Sequence, residues 1–414
     1  MQSNFNAADT AWVLISTALV LLMVPGLALF YAGMTRAKNV LNVLMQSLAS
    51  LSIVSVLWFV VGYSLSFSKG STSFLGGFDY LFLKNVDQNT FALNGVNNTI
   101  PHLLFMAFQL MFAIITPALI SGAIVDRMKF MAYAVFIGLW SLLIYAPLAH
   151  IVWGEGGFFV GKALDFAGGT VVHISSGFSA LALALLLGKR KLSHTDDVRP
   201  HNLPMTLIGT GLLWFGWFGF NAGSALAANG LAASALVTTH LAAATAGLVW
   251  MLIEWFSIKK PTALGFASGA VAGLVAITPG AGFVTPLAAI AIGAVVPFVS
   301  YGMIKLKSKL GYDDTLDVFA VHGCGGLWGA IATGIFANKA VNSAGFDGWL
   351  HGNVSLMTNQ LMSAGMAAAF GFVGTAVIYY VLKLVFRSVR VSQQDEEVGL
   401  DITQHGETAY VSEN

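Results

Sequence analysis

The chain has 414 residues, of which 57% are hydrophobic and 9% charged, with a net charge of +1. A soluble domain carries about a quarter charged residues, so this composition excludes an ordinary soluble fold and points to a polytopic helical membrane protein. A β-barrel is disfavoured because the apolar residues come in long runs rather than in alternation.

In chain order, the first residues, MQSNFNAADTAW, lack the basic segment of a secretory signal, so the first apolar run reads as a retained membrane helix. Apolar runs predict eleven spans near 9–33, 41–66, 102–125, 130–149, 165–187, 204–222, 233–256, 263–279, 285–304, 317–337 and 358–386. With the N-terminus outside and the spans alternating, sixteen Lys and Arg fall on one side, Arg36, Arg127, Arg190 and Arg390 among them. Only Lys69, Lys84, Lys162 and Lys339 fall on the other. The positive-inside rule makes the first side cytoplasmic and places the C-terminus there too. The outer loop 67–101 is long and rich in Gly, Ser and Asn. The inner loop 188–203 is polar. Residues 1–390 read as one membrane domain and 391–414 as a hydrophilic tail.

The 45 glycines suit helices that approach closely through small side chains. The single cysteine, Cys324, excludes an intramolecular disulfide and disfavours a cysteine metal site. No nucleotide-binding loop, nucleophile elbow or metalloprotease helix is visible, which argues against a primary pump and most enzymes.

DFAGGTVVHISSG, residues 165–177, carries a carboxylate eight residues before a histidine. On a helix that is a rise of about 12 Å, with Asp165 and His173 on similar faces. DVFAVHGCGGLWG repeats the theme at the tenth span, with Asp317 ahead of His322. Five spans per half would give the two units opposite orientations, and inverted repeats commonly put a transport path at their interface. A lone histidine on an apolar helix is usually a hydrogen-bonded core residue. Two at matching places can share a proton across neighbouring rings and line a narrow path. Neither has a third metal ligand nearby in sequence. His150 looks like a loop or interface residue, and the remaining histidines (His102, His194, His201, His240, His351, His405) fall near span ends, in loops or in the tail. Asp165 also suits a helix N-cap. Trp153, Phe112, Trp217 and Phe220 are each ordinary in a membrane protein. Together with Ser224 they make an aromatic cluster with one hydroxyl at the outer mouth, suited to a small cation, above two phenyl rings that would bar a charge.

These segments, with PGLALFYAGMTRAKNVLN, PHNLP, GWFGFNAGSA, SGAVAGLVAITP and the tail GLDITQHGETAY, resemble the ammonium transporter (Amt/Mep/Rh) family, bacterial Amt branch, over nearly all of the chain. The resemblance implies an all-α membrane protein with eleven transmembrane helices, as two five-helix inverted repeats plus a long eleventh helix. It also implies a homotrimer in the bacterial inner membrane, N-terminus out, with a pore in each subunit. Carried over by motif, Trp153, Phe112 and Ser224 form the outer ammonium site, and Asp165 supports it. Phe112 and Phe220 form the gate, His173 and His322 are the central twin histidines, and Trp217 lines the pore. Ser268 is placed near the inner pore and Gln109 near the outer mouth. No cofactor, metal or nucleic acid is implied. Methylammonium would serve as an analogue, and a PII-type nitrogen-regulatory protein would meet the tail. The rival readings are an Rh-like neutral gas channel for ammonia or carbon dioxide, a sensor acting through the tail, and a membrane enzyme using the histidines.

Overall fold

A computed structural model of the chain describes residues 5–70, 72–191 and 198–410. His194, part of the loop 188–203 and the last four residues of the tail lie outside them. Among the described residues, ten helices are long and apolar enough to cross a membrane: α1 (Ala7–Met34), α2 (Ala37–Phe67), α3 (His102–Ala123), α4 (Phe130–Trp153), α5 (Gly169–Leu187), α6 (Leu203–Ala225), α7 (Gly230–Ile258), α9 (Pro286–Leu310), α10 (Phe319–Phe336) and α11 (Val354–Phe386). The shorter apolar α8 (Ala263–Ile277) lies between α7 and α9 and completes the eleven expected. Several helices open on a polar residue placed for it. Asn6, Asn202, Asn229, Thr262, Thr285 and Asn353 each accept a first-turn N–H on the side chain.

Helices α1 and α6 lead the two halves, and their backbones touch. A Cβ on Gly209 would overlap Phe30 N, and one on Gly33 would crowd Thr206. Helices α5 and α10 close the halves and meet the same way, because Gly177 packs directly on the backbone of Gly323. The chain entering each of these helices is also tied alike. Phe166 N donates to Pro279 O past the end of α8 (3.0 Å), and Leu316 N donates to Gly122 O at the end of α3 (3.1 Å). Each half therefore ties the entry of its last helix to the end of the other half's third helix. That reciprocity is the signature of an inverted repeat.

Two details differ from the sequence reading. The outer loop folds into a hairpin of β1 (Thr90–Leu93) and β2 (Val96–Pro101), a departure from an all-helical plan. Asn94 and Gly95 supply the turn with φ of 51° and 77°, the left-handed backbone that a two-residue type I′ turn demands. Helix α5 begins at Gly169, four residues later than predicted.

The tail lies along the end of the bundle where the Lys and Arg gather. Ser392 caps a short helix, α12 (Gln393–Val398), with a reciprocal capping box. Arg390 donates to Glu396 (2.7 Å) and to Leu187 O (2.7 Å), and Leu400 N donates to Asn39 (2.7 Å). Asp401 accepts from Asn42 N (2.8 Å), Gln404 accepts from Phe130 N (3.1 Å), and His405 Nε2 meets Asn42 Oδ1 at 3.1 Å. Burial lowers the His405 imidazole from its ordinary value, against the pull of Asp401 and Glu407. Beneath the tail, Asp313 takes a two-pronged bond from Arg190 (3.0 and 3.1 Å) with Arg127 at 3.7 Å. Burial would raise that carboxyl, but the two guanidinium groups outweigh it and hold it below the usual range.

Candidate functional site

Both histidines stand on short π-helical turns at the start of their helices, residues 169–174 in α5 and 319–324 in α10. The wider turn is set by a carboxylate ahead of each. Asp165 accepts from Gly168 N (3.0 Å), Thr170 N (2.9 Å) and Val171 N (3.0 Å). In the other half the corresponding carboxylate is Asp314, which accepts from Val318 N (3.1 Å) and Phe319 N (2.8 Å). The pairing of Asp317 with His322 is thereby corrected. Asp314 precedes His322 by eight residues, as Asp165 precedes His173. Asp317 turns aside at φ 59° and pairs with Lys307 (2.5 Å). The helical rise expected between Asp165 and His173 is corrected as well, because the chain before Gly169 is a loop.

These turns bring the two imidazoles together. His173 Nδ1 and His322 Nδ1 are 3.3 Å apart, with ring centroids at 5.3 Å and planes 30° apart. One ring must donate and the other accept, so the outward nitrogens of a neutral pair are one donor and one acceptor. His173 Nε2 is buried without a partner among the protein atoms and is free to bond a passing molecule.

A path runs through this pair. At the end away from the basic cluster, a vestibule of about 280 Å³ is lined by Phe112, Trp153, Ser224, Asp165 and Gln109, among others. The Phe112 and Trp153 ring centroids are 6.4 Å apart and the planes nearly perpendicular. Trp153 Nε1 donates to Asp165 O (2.8 Å). Ser224 donates its proton to Phe220 O (2.8 Å), which leaves the oxygen to accept from a ligand. Asp165 spends its carboxylate on backbone N–H groups. Phe112 and Phe220 then close the path with ring centroids 4.3 Å apart. Beyond them a chamber of about 10 Å³ is lined by Phe220, Trp217, His173 and His322. That is room for about one water-sized molecule. Trp217 stacks on His173 (5.4 Å, 22°) and is fixed by its Nε1 donating to Thr278 (2.9 Å). His322 also borders a second vestibule, of about 190 Å³, which holds Ser268 and opens at the basic end.

The path thus gathers all ten residues singled out in the sequence. Among the described residues the other histidines stay off it, but one, His240, was misplaced. His150 stands at the end of its span, as read, but within the helix and not in a loop. It is fully buried on the last turn of α4, with Nδ1 3.1 Å from Ser66 O. His240 is not near a span end but about three turns into α7, on an exposed face. Sequence reasoning missed Asp314, whose spacing from His322 was the available signal, and Asn94, which the Asn-Gly pair could have flagged. Among the described residues no group of three metal-ligating side chains gathers.

Residues 11–410 match the family model described as Ammonium Transporter Family. The ammonium transporter of Bacillus subtilis is 50% identical over 403 residues, covering 97% of this chain and 98% of its own length. Ammonium transporter Amt1 of Archaeoglobus fulgidus is 47% identical over 402 residues, covering 97% and 99%. Among solved structures, Candida albicans Mep2 superposes with a TM-score of 0.87 at 36% identity, covering 95% of this chain and 88% of that one. A structure described as a sensor Amt protein gives 0.86 at 29%, covering 96% and 98%. With its eleven apolar helices and its histidine-lined path, this chain belongs to the ammonium transporter family, a family of multi-pass membrane transporters and not of enzymes.

Proposed function

We propose that ammonium is recruited between the Phe112 and Trp153 rings, loses its proton at the phenylalanine gate, and crosses the histidine pair as ammonia. The observation that carries this reading is the succession of spaces: a roomy aromatic mouth, a closed pair of phenyl rings, then a chamber for one small molecule. A cation over ring faces gains about 0.5–2 kcal/mol per ring as water is excluded. A charge carried on to mid-membrane costs at least ~2.5–3.5 kcal/mol, so the ion stops where the neutral molecule continues. The Ser224 oxygen accepts one N–H and the Phe112 and Trp153 faces take the charge. Beyond the gate, the unpartnered His173 Nε2 replaces a water that ammonia leaves behind. The shed proton travels by an associated route rather than returning to the outer medium, so the net movement carries charge.

The chain sits in a bacterial inner membrane with its N-terminus outside and its basic end in the cytoplasm, as a homotrimer, with methylammonium as an alternative substrate. The tail docked on the basic end is a regulatory surface for a PII-type protein. A combined transport and signalling role is favoured by that docking and by the likeness to the structure described as a sensor.

Replacing His173 and His322 together by alanine tests the core of the reading, with methylammonium uptake measured in a transporter-deficient cell and current recorded on a planar membrane. Altered selectivity and altered current are expected. Wild-type values of both would remove the histidines from the mechanism. Ammonium uptake by the unaltered protein without any current would favour a neutral gas channel instead.

A further inference from the structure

The outer hairpin reaches the vestibule at one point, its turn. Leu93 and Asn94 line the cavity wall, and Asn94 makes three bonds to the segment carrying Trp153. Its Nδ2 donates to Trp153 O at 3.2 Å. Its Oδ1 accepts from Gly156 N at 2.9 Å. Its own N–H donates to the Glu155 carboxylate. The amide therefore bridges the last carbonyl of α4, which has no partner within the helix. Gly95 and the left-handed Asn94 hold it in place, and Asn tolerates that backbone better than most residues.

Trp153 is anchored at two points. Asp165 holds the indole from within the protein, and Asn94 holds the backbone from the loop. Ring faces bind a cation only over a short range, about 6 Å from the centroid. With the Phe112 and Trp153 centroids 6.4 Å apart, a cation between them touches both only while the indole keeps its place.

We propose that the Asn94-Gly95 turn is a positioning device for Trp153, and that the latch formed with Glu155 and Gly156 sets how tightly the vestibule holds its cation. The inference rests on the outer-site reading given above. The latch touches no group beyond the gate, so it acts on binding and not on passage.

Methylammonium uptake kinetics in cells expressing the full chain test it. Asn94→Gly keeps the turn, because glycine adopts the same left-handed backbone, and deletes only the amide. KM is expected to rise about fivefold with Vmax unchanged, the scale of one ring-face contact weakened. Trp153→Ala should raise KM further, and adding Asn94→Gly to it should change nothing more, because the latch acts through the indole. Glu155→Ala should repeat the Asn94→Gly effect, and Glu155→Gln, which keeps the acceptor, should restore KM. A full extra rise of KM on the Trp153→Ala background would overturn the proposal, and so would a fall in Vmax at constant KM. An unchanged KM in Trp153→Ala would instead remove the outer site on which the proposal stands. Should Asn94→Gly fail to reach the membrane, the Glu155 pair decides by the same criterion.

Discussion

Asp165 is buried and acidic in a membrane protein, yet its charge is directed at backbone. Three N–H groups at the start of α5 share its two oxygens, and its carbonyl holds the Trp153 indole. Asp165→Ala leaves those donors unpaired, at about 1–3 kcal/mol for each one that water does not reach. The expected result is a marked fall in the unfolding temperature of detergent-purified protein, together with loss of uptake. Asp165→Asn should fall between, since its amide offers one acceptor oxygen where the carboxylate offers two. An unchanged unfolding temperature for the alanine variant would show that the bonds are not formed in the folded protein. Asp165 was legible because a carboxylate ahead of a glycine-rich apolar run is a capping signal. Its counterpart was hidden because three acidic residues, Asp313, Asp314 and Asp317, stand before α10. The nearest to the helix, Asp317, reads as the partner of His322. Only the backbone, which turns Asp317 into the left-handed region, hands that role to Asp314.

Helices α5 and α10 hold the two imidazoles in contact because their glycines leave no space between them. Gly177 sits against Gly323, and a methyl group there would overlap backbone that has no rotamer to yield. Gly177→Ala is expected to separate the helices and cost about 1–3 kcal/mol or more. Uptake should fall sharply even though both histidines remain, and normal uptake would mean that the contact is not needed. The helices themselves could be read from apolar runs, and the eleven predicted spans match within a few residues. The π-helical turns could not, because they follow from a carboxylate bonding backbone and not from any hydrophobic period. The tail is an element of another kind, held by polar bonds at several points and by the buried Val391 and Leu400 side chains. His405 is lowered from its ordinary 6.5 when docked, so the released tail binds the proton more readily. Its contribution to docking is full above pH 6.5 and is lost as pH falls through 6.5 toward the lowered value. Asp401 is raised by burial and acts in the opposite sense as pH falls toward 3.8. Protease cleavage of the tail in inside-out vesicles should therefore quicken as the medium is brought just below pH 6.5. A His405→Gln protein should show no such change there.

At the scale of the whole molecule, two halves of opposite sense each contribute one carboxylate, one π-helical turn and one histidine, and the path lies where they meet. A cation that cannot give up a proton has no neutral form with which to pass the gate. Rubidium flux into proteoliposomes that conduct ammonium should accordingly stay at background, and a measurable flux would show that the rings admit charge. The path's residues were legible because aromatic and imidazole side chains stand out in an apolar chain. Its dimensions were not, since they depend on how helices far apart in sequence lean together. The chamber between Phe220 and the histidines holds about one small molecule. For the route proposed above, a chamber of that size admits one molecule at a time. On the proposed route, ammonia accumulated inside the cell is expected to slow further influx by occupying that chamber, while the mouth keeps its grip on ammonium.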